Sequence, residues 1–449
     1  MAKDFGHTTK KQGVLLMPNI PLATKPIPRL YPKVALPCVV AMVANGTANL
    51  LQTVFAAPLG QEAVAALGIV FSALTLLQAV GYAIALGGST LFSPAYSVGN
   101  ETEYTSIAQV TVWLDLIAGM VLGGLGFTFA PAFIKGLGAT EALLPLCLAY
   151  ARPLLLSAPF LCGNYAFTGL LRCLGKSTAA MVGLTAGTAV TVGGTYLLFR
   201  GFSAGLGGAG WAFLAGQGVS FLILWIWSLN TKELSLGFPK GAAKEFARVP
   251  YYGISALIRQ GFASLSFILL NRLGTPYGTG VVAAFSFANR ITGFCYWALL
   301  GWGQGFAPIG GIAFGENNGG RLKQALSFGY KTALGGTCLL GLGVCLLALF
   351  QPPYAKWLLL SQGITLPLIP LVVFVTYGFQ TIKKPVPATL FSCLRQGVCL
   401  IPLFFLLPRF LGVKGLLVAQ GVADLVTFLI CLVPYHLLFK RKGDIIGKI

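Results

Sequence analysis

Long apolar stretches follow one another along almost the entire chain, and no other feature limits its possible folds as strongly. A helix of about 20 predominantly apolar residues crosses the hydrocarbon of a bilayer. Runs of at least this length lie at 34–56, 64–94, 107–133, 143–169, 177–200, 206–229, 251–273, 280–313, 325–351, 365–386, 388–410 and 413–438. Charged residues make up 9% of the chain, against about a quarter of a soluble domain. We therefore predict an all-α integral membrane protein with twelve transmembrane helices.

The basic residues are distributed unevenly between the two ends of these predicted helices. The chain has 31 Lys and Arg against 11 Asp and Glu, a net charge of +20. When residues towards the ends of a run are assigned to the adjoining loop, 22 of the 31 fall in the termini and even-numbered loops and six in the odd-numbered loops. The other three, Arg152, Arg259 and Arg290, lie deeper inside spans. Because Lys and Arg accumulate in cytoplasmic loops, we place both termini in the cytoplasm. Contact with anionic membrane lipids accounts for the charge. A nucleic-acid partner is not expected, since the chain has no polar domain in which basic residues alternate with stacking aromatics.

The second half of the chain resembles the first. Residues 63–67 (AVAAL) are similar to 281–285 (VVAAF), 218 positions later, and 170–174 (LLRCL) are similar to 390–394 (LFSCL), 220 positions later. Six helices therefore occur twice in the same order, as two pseudo-symmetric lobes. Parallel repeats of this kind commonly enclose a binding site near the bilayer midplane and rock about it, which indicates alternating access.

Five segments follow from this division. Residues 1–33 are basic and repeatedly broken by proline, so we predict a cytosolic tail without a helix. The amino-terminal lobe with helices 1–6 covers 34–229, a polar cytosolic linker covers 230–250, and the carboxyl-terminal lobe with helices 7–12 covers 251–439. Residues 440–449 form a second cytosolic tail.

Several short motifs occur in a fixed order along these lobes. The first span and the loop after it contain Pro37, Asn45, Asn49-Leu-Leu-Gln52-Thr53 and Leu59-Gly60-Gln-Glu-Ala63. The second lobe contains Arg395-Gln396-Gly, then Gly415, Gln420-Gly421 and Asp424. In this order and spacing the motifs resemble the multidrug and toxic compound extrusion (MATE) family, from about Pro32 to the end of the last helix.

The resemblance implies a fold and an activity. MATE-like proteins are V-shaped pairs of six-helix lobes that alternate between inward-open and outward-open states. Such a protein would be a monomeric exporter in the plasma membrane. It would expel small organic or amphipathic molecules, usually cations, in exchange for protons or sodium ions. No cofactor is expected.

The chain departs from the family where acidic residues are usual. Members commonly carry an Asp in the first helix, where this chain has Gln52, and another in the fifth helix, which falls near Gly194. An amide does not titrate, so a coupling carboxylate would lie elsewhere. Asp424 is our coupling candidate, because an acid inside a span is costly and usually functional. Asp115 is predicted near the start of a helix, where it would reach the membrane interface.

Amides and arginines supply the candidates for the substrate pathway. Asn45, Asn49 and Gln52 share one helix face. They either form a neutral hydrogen-bonding ladder for a ligand or bond to neighbouring helices, and the same two interpretations apply to Asn164 and Tyr165. The remaining candidates are Arg259, Gln260, Asn289, Arg290, Gln304 and Arg395.

The intramembrane arginines also leave two interpretations open. Arg259, Arg290 and Arg395, with at most one acid among them, would make an inward-facing cavity positive and would favour an anionic substrate. Alternatively they pack helices together, and one of them forms a structural ion pair with Asp424.

Composition and motifs also bear on other classes of membrane protein. The alternatives to a drug exporter are a flippase or exporter of an anionic or lipid-linked substrate, and a relative that does not transport. An enzyme is not expected, because paired Asp-x-x-Asp motifs for a metal and pyrophosphate are missing. The ten cysteines are scattered without a CxxC pair, so neither a disulfide framework nor a metal site is predicted.

Overall fold

The computed structural model of the protein describes residues 21–435, apart from 57, 59, 201–204, 232, 235, 236, 240, 241 and 278. Every regular element in these residues is helical. The helices are α1 Pro21–Thr24, α2 Ile27–Ala56, α3 Gln61–Ser97, α4 Glu101–Thr128, α5 Ala130–Gly136, α6 Leu144–Leu156, α7 Ala158–Cys173, α8 Ser177–Arg200, α9 Gly205–Leu229, α10 Ala243–Gly274, α11 Thr279–Gly315, α12 Gly319–Ala348, α13 Pro353–Thr365, α14 Ile369–Thr381, α15 Pro385–Cys393, α16 Leu400–Leu411 and α17 Val413–Tyr435. Short 3-10 turns at Thr275–Tyr277 and Leu366–Leu368 and a π turn at Leu394–Cys399 connect some of them. The predicted tail 440–449 lies outside the described residues.

Eleven of the twelve predicted spans coincide with one helix or with two consecutive helices. The span predicted at 365–386 is wrong in its bounds, because the structure has the apolar helix pair Pro353–Thr381 there. Ten spans among the described residues are long and apolar enough to cross a membrane, and α6 with α7 makes an eleventh with a bend of 46°. Pro153 and Pro159 flank this bend, as expected of a residue that lacks a backbone N–H and clashes with the preceding turn. The remaining span is α11, which is 37 residues long and carries Asn289, Arg290 and Gln304 among its apolar residues. The all-α membrane fold is confirmed.

The first membrane helix begins earlier than predicted. Residues 27–33, assigned to a non-helical tail from the sequence, are the first turns of α2. Pro28 occupies the first turn, where a missing N–H leaves no hydrogen bond unmade. The ring of Tyr31 is completely buried, and its hydroxyl donates to the carbonyl oxygen of Trp302 over 3.1 Å.

The helices form two lobes, α2–α9 and α10–α17. The first lobe contains two clusters of buried apolar side chains, and the second lobe contains a single large one. The beginning of α2 is an exception to this division. Its residues Ile27, Leu30, Tyr31 and Val34 belong to the buried cluster of the second lobe.

The lobes touch most closely on the side where α2 and α10 begin and where α3 and α11 end. We call this side the linker end, because the segment between α9 and α10 lies there. A Cβ added at Gly87 of α3 would overlap the carbonyl oxygen of Val249 in α10, and one at Gly253 of α10 would overlap the carbonyl oxygen of Ala83. Glycine is needed at these two positions because backbone meets backbone.

The lobes part towards the opposite side, which we call the open end. Positions 290, 297 and 301 share one face of α11. Gly301 lies against the backbone of Val39 in α2, and Trp297 lies against Gly46, whereas Arg290 is exposed. Because the close contact of α2 with α11 at Trp297 and Gly301 is followed by the exposed Arg290, we infer that a cleft between these helices widens towards Arg290.

Candidate functional site

A pocket lies in the second lobe where that lobe faces the middle of α3, and we call it the interlobe pocket. Tyr82 and Leu86 of α3 are the two lining residues from the first lobe. The pocket has about 540 Å³ of empty space, including the part that opens outward. Its lining residues are Tyr82, Leu86, Ser255, Ala256, Arg259, Tyr296, Leu300, Ile369, Val372, Val373, Thr376, Tyr377, Gln380, Ser392, Arg395 and Gln396. Apolar and aromatic walls with a few polar groups are typical of sites for small organic molecules.

The interlobe pocket is positively charged. Arg259 and Arg395 line it, and no Asp or Glu of the described chain does. Arg395 is neutralised by Asp424, with 2.7 Å between Nε and Oδ1, and its guanidinium lies 4.7 Å from the ring centroid of Tyr296. Arg259 takes part in none of the four ion pairs formed within the described residues. Its guanidinium lies 5.7 Å from the ring centroid of Tyr82, where the ring face attracts a cation.

Asp424 is held by three partners inside the second lobe. Besides the ion pair with Arg395, its Oδ1 accepts from Nε2 of Gln420 over 3.2 Å and its Oδ2 accepts from the hydroxyl of Thr365 over 3.3 Å. The structural ion pair that the sequence left as an alternative is therefore present, and Arg395 is the partner.

Hydrogen bonds connect the lobes on the linker side of the pocket. Nη1 of Arg172, at the end of α7, donates to Oε1 of Gln304 in α11. Nε2 of Gln304 lies 3.4 Å from the hydroxyl of Tyr82, which lies 3.5 Å from the hydroxyl of Tyr377. Arg172 also donates from Nε to the carbonyl oxygen of Thr168 over 2.9 Å, which turns its side chain back along α7. Gln304 is thus a pathway candidate that contacts both lobes.

The three amides predicted to form a ladder on α2 have different kinds of hydrogen-bond partner. Nδ2 of Asn49 donates to the carbonyl oxygen of Asn45 in the same helix over 3.0 Å, and both side chains are half-buried. Gln52 is buried and accepts from the hydroxyl of Tyr150 in α6 over 3.4 Å. Gln52 therefore bonds to a neighbouring helix, while a ligand-binding role for Asn45 and Asn49 stays a prediction.

Asn164 and Tyr165 occupy neighbouring positions on α7 but face different partners. Nδ2 of Asn164 donates to Oε1 of Gln217 in α9 over 2.9 Å. The ring of Tyr165 packs edge-on against Tyr82, with centroids 5.9 Å apart. Tyr165 thus supports a wall of the interlobe pocket, and Asn164 holds α7 to α9.

The other three candidates lie outside the interlobe pocket. Gln260 and Asn289 are half-buried, and Arg290 is exposed. None of the three lines the pocket, so a role for them would concern the path to it.

Asp115 does not lie where the sequence placed it. Because α4 begins at Glu101 rather than near 107, Asp115 is well inside the helix and not near its start. It is completely buried, and both of its oxygens have no hydrogen-bond partner among the described residues. A buried polar group without a hydrogen-bond partner is unfavourable.

Sequence reasoning missed several residues that shape the pocket. Tyr82, Tyr296 and Tyr377 were indistinguishable from aromatic residues that merely fill a membrane bundle. Arg172 was counted with the cytoplasmic loops, because it stands at the end of a predicted span. No signal in a single sequence shows that its side chain turns back towards Gln304.

The described residues contain no group of three His, Cys, Asp or Glu that could hold a metal ion. Three acids of the described residues are buried, Asp115, Glu245 and Asp424. Glu245 lies in the first turn of α10 and pairs with Arg248, whereas Asp115 and Asp424 lie further inside helices of different lobes.

Comparison with known proteins shows which family shares this architecture. Among the curated relatives, "Multidrug export protein MepA" of Staphylococcus aureus (strain MRSA252) is 21% identical over 388 residues, covering 82% of this chain and 85% of that protein. "Probable multidrug resistance protein YoeA" of Bacillus subtilis (strain 168) is 25% identical over 283 residues, covering 60% of this chain and 61% of that protein.

Solved structures have the same fold. One is described as "Outward-facing conformation of a multidrug resistance MATE family transporter of the MOP superfamily", with a TM-score of 0.86 at 20% identity over 93% of this chain and 97% of that one. Another is described as "Reverse polarity of binding pocket suggests different function of a MOP superfamily transporter from Pyrococcus furiosus Vc1 (DSM3638)", with a TM-score of 0.87 at 19% identity and the same coverage.

The family model described as MatE matches two separate segments, residues 37–197 and 256–406. One segment lies in each lobe, which agrees with the duplication visible in the sequence. Since the two segments together cover more than half of the chain, this protein belongs to the MatE family.

Proposed function

We propose that this protein is a secondary active transporter that exports small organic or amphipathic molecules across the plasma membrane by alternating access. It would act as a monomer with both termini in the cytoplasm. The observation that carries the proposal is the interlobe pocket, which the second lobe lines together with Tyr82 and Leu86 of the first. It lies on the open-end side of the tightly packed linker end. The curated relatives named for multidrug export and multidrug resistance support the same activity.

Alternating access requires that the cleft close at one end when it opens at the other. If the linker end faces the cytoplasm, as the basic residues indicate, the cleft described above faces outward. Rocking of the lobes would separate Gly87 from Val249 and bring α2 and α11 together near Arg290. The interlobe pocket would then open to the cytoplasm and accept the molecule to be exported.

Exchange for a proton or a sodium ion would need a carboxylate linked to the pocket, and Asp424 is the coupling candidate. When Asp424 binds a proton or a sodium ion, Arg395 loses the negative charge that neutralises it. The pocket then gains one positive charge, since Arg395 lines it. Substrate affinity and ion binding are thereby linked through one ion pair.

The test is flux into proteoliposomes with an imposed proton gradient, a sodium gradient or no gradient. Two probes are used, a cationic dye and an anionic amphiphile of similar size. We expect a gradient to accelerate the movement of at least one probe relative to protein-free vesicles. Absence of flux for both probes under every gradient contradicts the proposed transport. Loss of proton-driven flux in folded Asp424→Asn would support coupling through the second lobe.

The cleft makes a more specific test of the pathway possible. Arg290 lies in the inferred cleft and Arg409 is an exposed residue near the end of α16, so the same charge reversal is compared at both. Arg290→Glu should lower flux severalfold, because the reversed charge faces the molecules that approach the pocket. Arg409→Glu should leave flux nearly unchanged. Equal effects of the two substitutions would remove Arg290 from the pathway.

A second candidate function is favoured by the arginine without an acidic partner in the pocket. A flippase for an anionic or lipid-linked substrate would also place Arg259 between its lobes. The two functions are distinguished by the transfer of a fluorescent anionic lipid between leaflets, which a flippase accelerates without any soluble probe.

A further inference from the structure

In the described part of the interlobe pocket, one buried hydrogen-bond donor has no acceptor, and one arginine has no acidic partner. Arg259 forms no ion pair within the described residues, although its guanidinium carries five N–H groups. Gln380 is 4% exposed, and its Nε2 is buried without a hydrogen-bond partner in the described part of the chain. A buried polar group without a partner is unfavourable and points to a missing ligand or water.

No described residue that lines the pocket brings a negative charge to Arg259 or Gln380. The carboxylate of Asp424 is occupied by Arg395 at 2.7 Å. The hydroxyl of Thr376 donates to the carbonyl oxygen of its own helix at Val372 over 2.8 Å. Within the described residues, the pocket therefore offers positive charge and N–H groups without an acid to balance them.

The walls around these donors are apolar and aromatic. Tyr82 and Tyr296 contribute ring faces, and Leu300 and Val373 contribute aliphatic surface. Such walls would hold the body of an amphipathic molecule, while the N–H groups would fix the orientation of its polar head. An organic cation would instead place its charge beside Arg259.

We propose that the interlobe pocket binds an amphipathic organic anion whose carboxylate or sulfonate oxygens accept hydrogen bonds from Arg259 and Gln380. The planar guanidinium matches the geometry of such an oxyanion and binds it with two parallel hydrogen bonds. The aromatic or aliphatic body of the anion lies against Tyr82 and Tyr296. This inference rests on the proposed function and names the substrate class of the same site.

The experiment compares two probes with the same aromatic body and opposite charge, naphthalene-2-sulfonate and (2-naphthyl)trimethylammonium. Binding to the purified full-length protein is measured by calorimetry, and flux is measured in proteoliposomes. The wild type should bind the sulfonate more tightly than the ammonium probe. Arg259→Gln should weaken sulfonate binding at least tenfold, and Arg259→Lys should retain part of it, because the positive charge remains while the paired geometry is lost.

Arg272→Gln is the matched control, since Arg272 is exposed near the far end of the same helix, α10. It should bind the sulfonate as the wild type does. Thermal unfolding establishes that each variant is folded, and Gln380→Leu gives a second, uncharged variant of the site that should also weaken sulfonate binding.

The outcomes separate the substrate class from transport itself. Tight binding and transport of the ammonium probe alone, unchanged in Arg259→Gln, would overturn the anion inference and leave the exporter intact. Equal loss of sulfonate binding in Arg259→Gln and Arg272→Gln would overturn it as well, since it would reveal attraction to the basic surface. Failure of every probe to move under any gradient would count against the proposed transport instead.

Discussion

Asp424 and Arg395 bury opposite charges inside the second lobe, and neither is stable there without the other. Removal of one partner of a buried pair costs about 3–5 kcal/mol, because the other charge is left without compensation. We therefore expect Asp424→Asn to lower the free energy of unfolding by about this amount, measured by denaturation of the purified protein in detergent. The double variant Asp424→Asn/Arg395→Gln should recover part of the loss. Losses that simply add in the double variant would contradict a direct interaction.

Asp115 is also a buried acid, but it has no hydrogen-bond partner among the described residues. Since neither oxygen of Asp115 has a partner in the described part of the chain, an amide of the same shape breaks no interaction. Asp115→Asn should alter the free energy of unfolding by less than about 1 kcal/mol. The same substitution at Asp424 serves as the comparison. A loss of similar size at both positions would show that Asp115 is an ionised group with an essential partner.

These two acids show how far single residues could be predicted. The low charge content made every acid inside a span conspicuous, so a pairing of Asp424 with one of three arginines could be anticipated from the sequence, but not that the partner is Arg395. The position of Asp115 depended on where α4 begins, and hydropathy defines such boundaries poorly because the first turns of a helix tolerate polar residues. The tyrosines of the interlobe pocket could not be predicted, because aromatic residues in a membrane bundle look alike in sequence whether they face a cavity or a helix.

At the scale of helices, the contact of α3 with α10 depends on glycine. The Gly87 backbone lies against Val249, whereas a Cβ added at Gly68, in the same helix, has nothing within 4 Å. Gly87→Ala should reduce flux severalfold, because the lobes could no longer approach at the linker end. Gly68→Ala should leave flux unchanged and favour the helix by up to about 1 kcal/mol. Equal flux in the two variants, measured with the same probe, would show that this contact is not part of the transport cycle.

The helices themselves were largely predictable, because a run of apolar residues long enough to cross a bilayer has few alternatives to a helix. Residues 27–33 were missed for a physical reason. Proline and lysine close to the run resemble a tail in sequence, and only the burial of Tyr31 in a pocket of the other lobe shows that the helix continues. Hydrophobic periodicity reports local structure, so it does not reveal a contact between distant parts of the chain.

At the scale of the whole molecule, alternating access predicts a change of distance between the lobes at the open end. Thr140 and Pro352 are exposed there, one in each lobe. Spin labels at Thr140→Cys and Pro352→Cys, with the native cysteines replaced, should report a long distance and a shorter one that gains population when a substrate or coupling ion is added. Labels at Pro352→Cys and Leu411→Cys, both in the second lobe, should keep one distance. A single unchanged distance for the first pair under all conditions would argue against rocking lobes.

The duplicated architecture was predictable from the offset between 63–67 and 281–285, but the crossing of α2 into the second lobe was not. Tyr31 lies among the buried residues of that lobe, while the rest of α2 runs on beside α8 of the first. A protease that cut the segment between α9 and α10 would consequently not yield two independent bodies. The amino-terminal fragment would stay bound to the carboxyl-terminal fragment through the first turns of α2. A carboxyl-terminal fragment synthesised alone would lack the buried side chains that the first turns of α2 contribute to its core. It would therefore fold only when the other fragment is present.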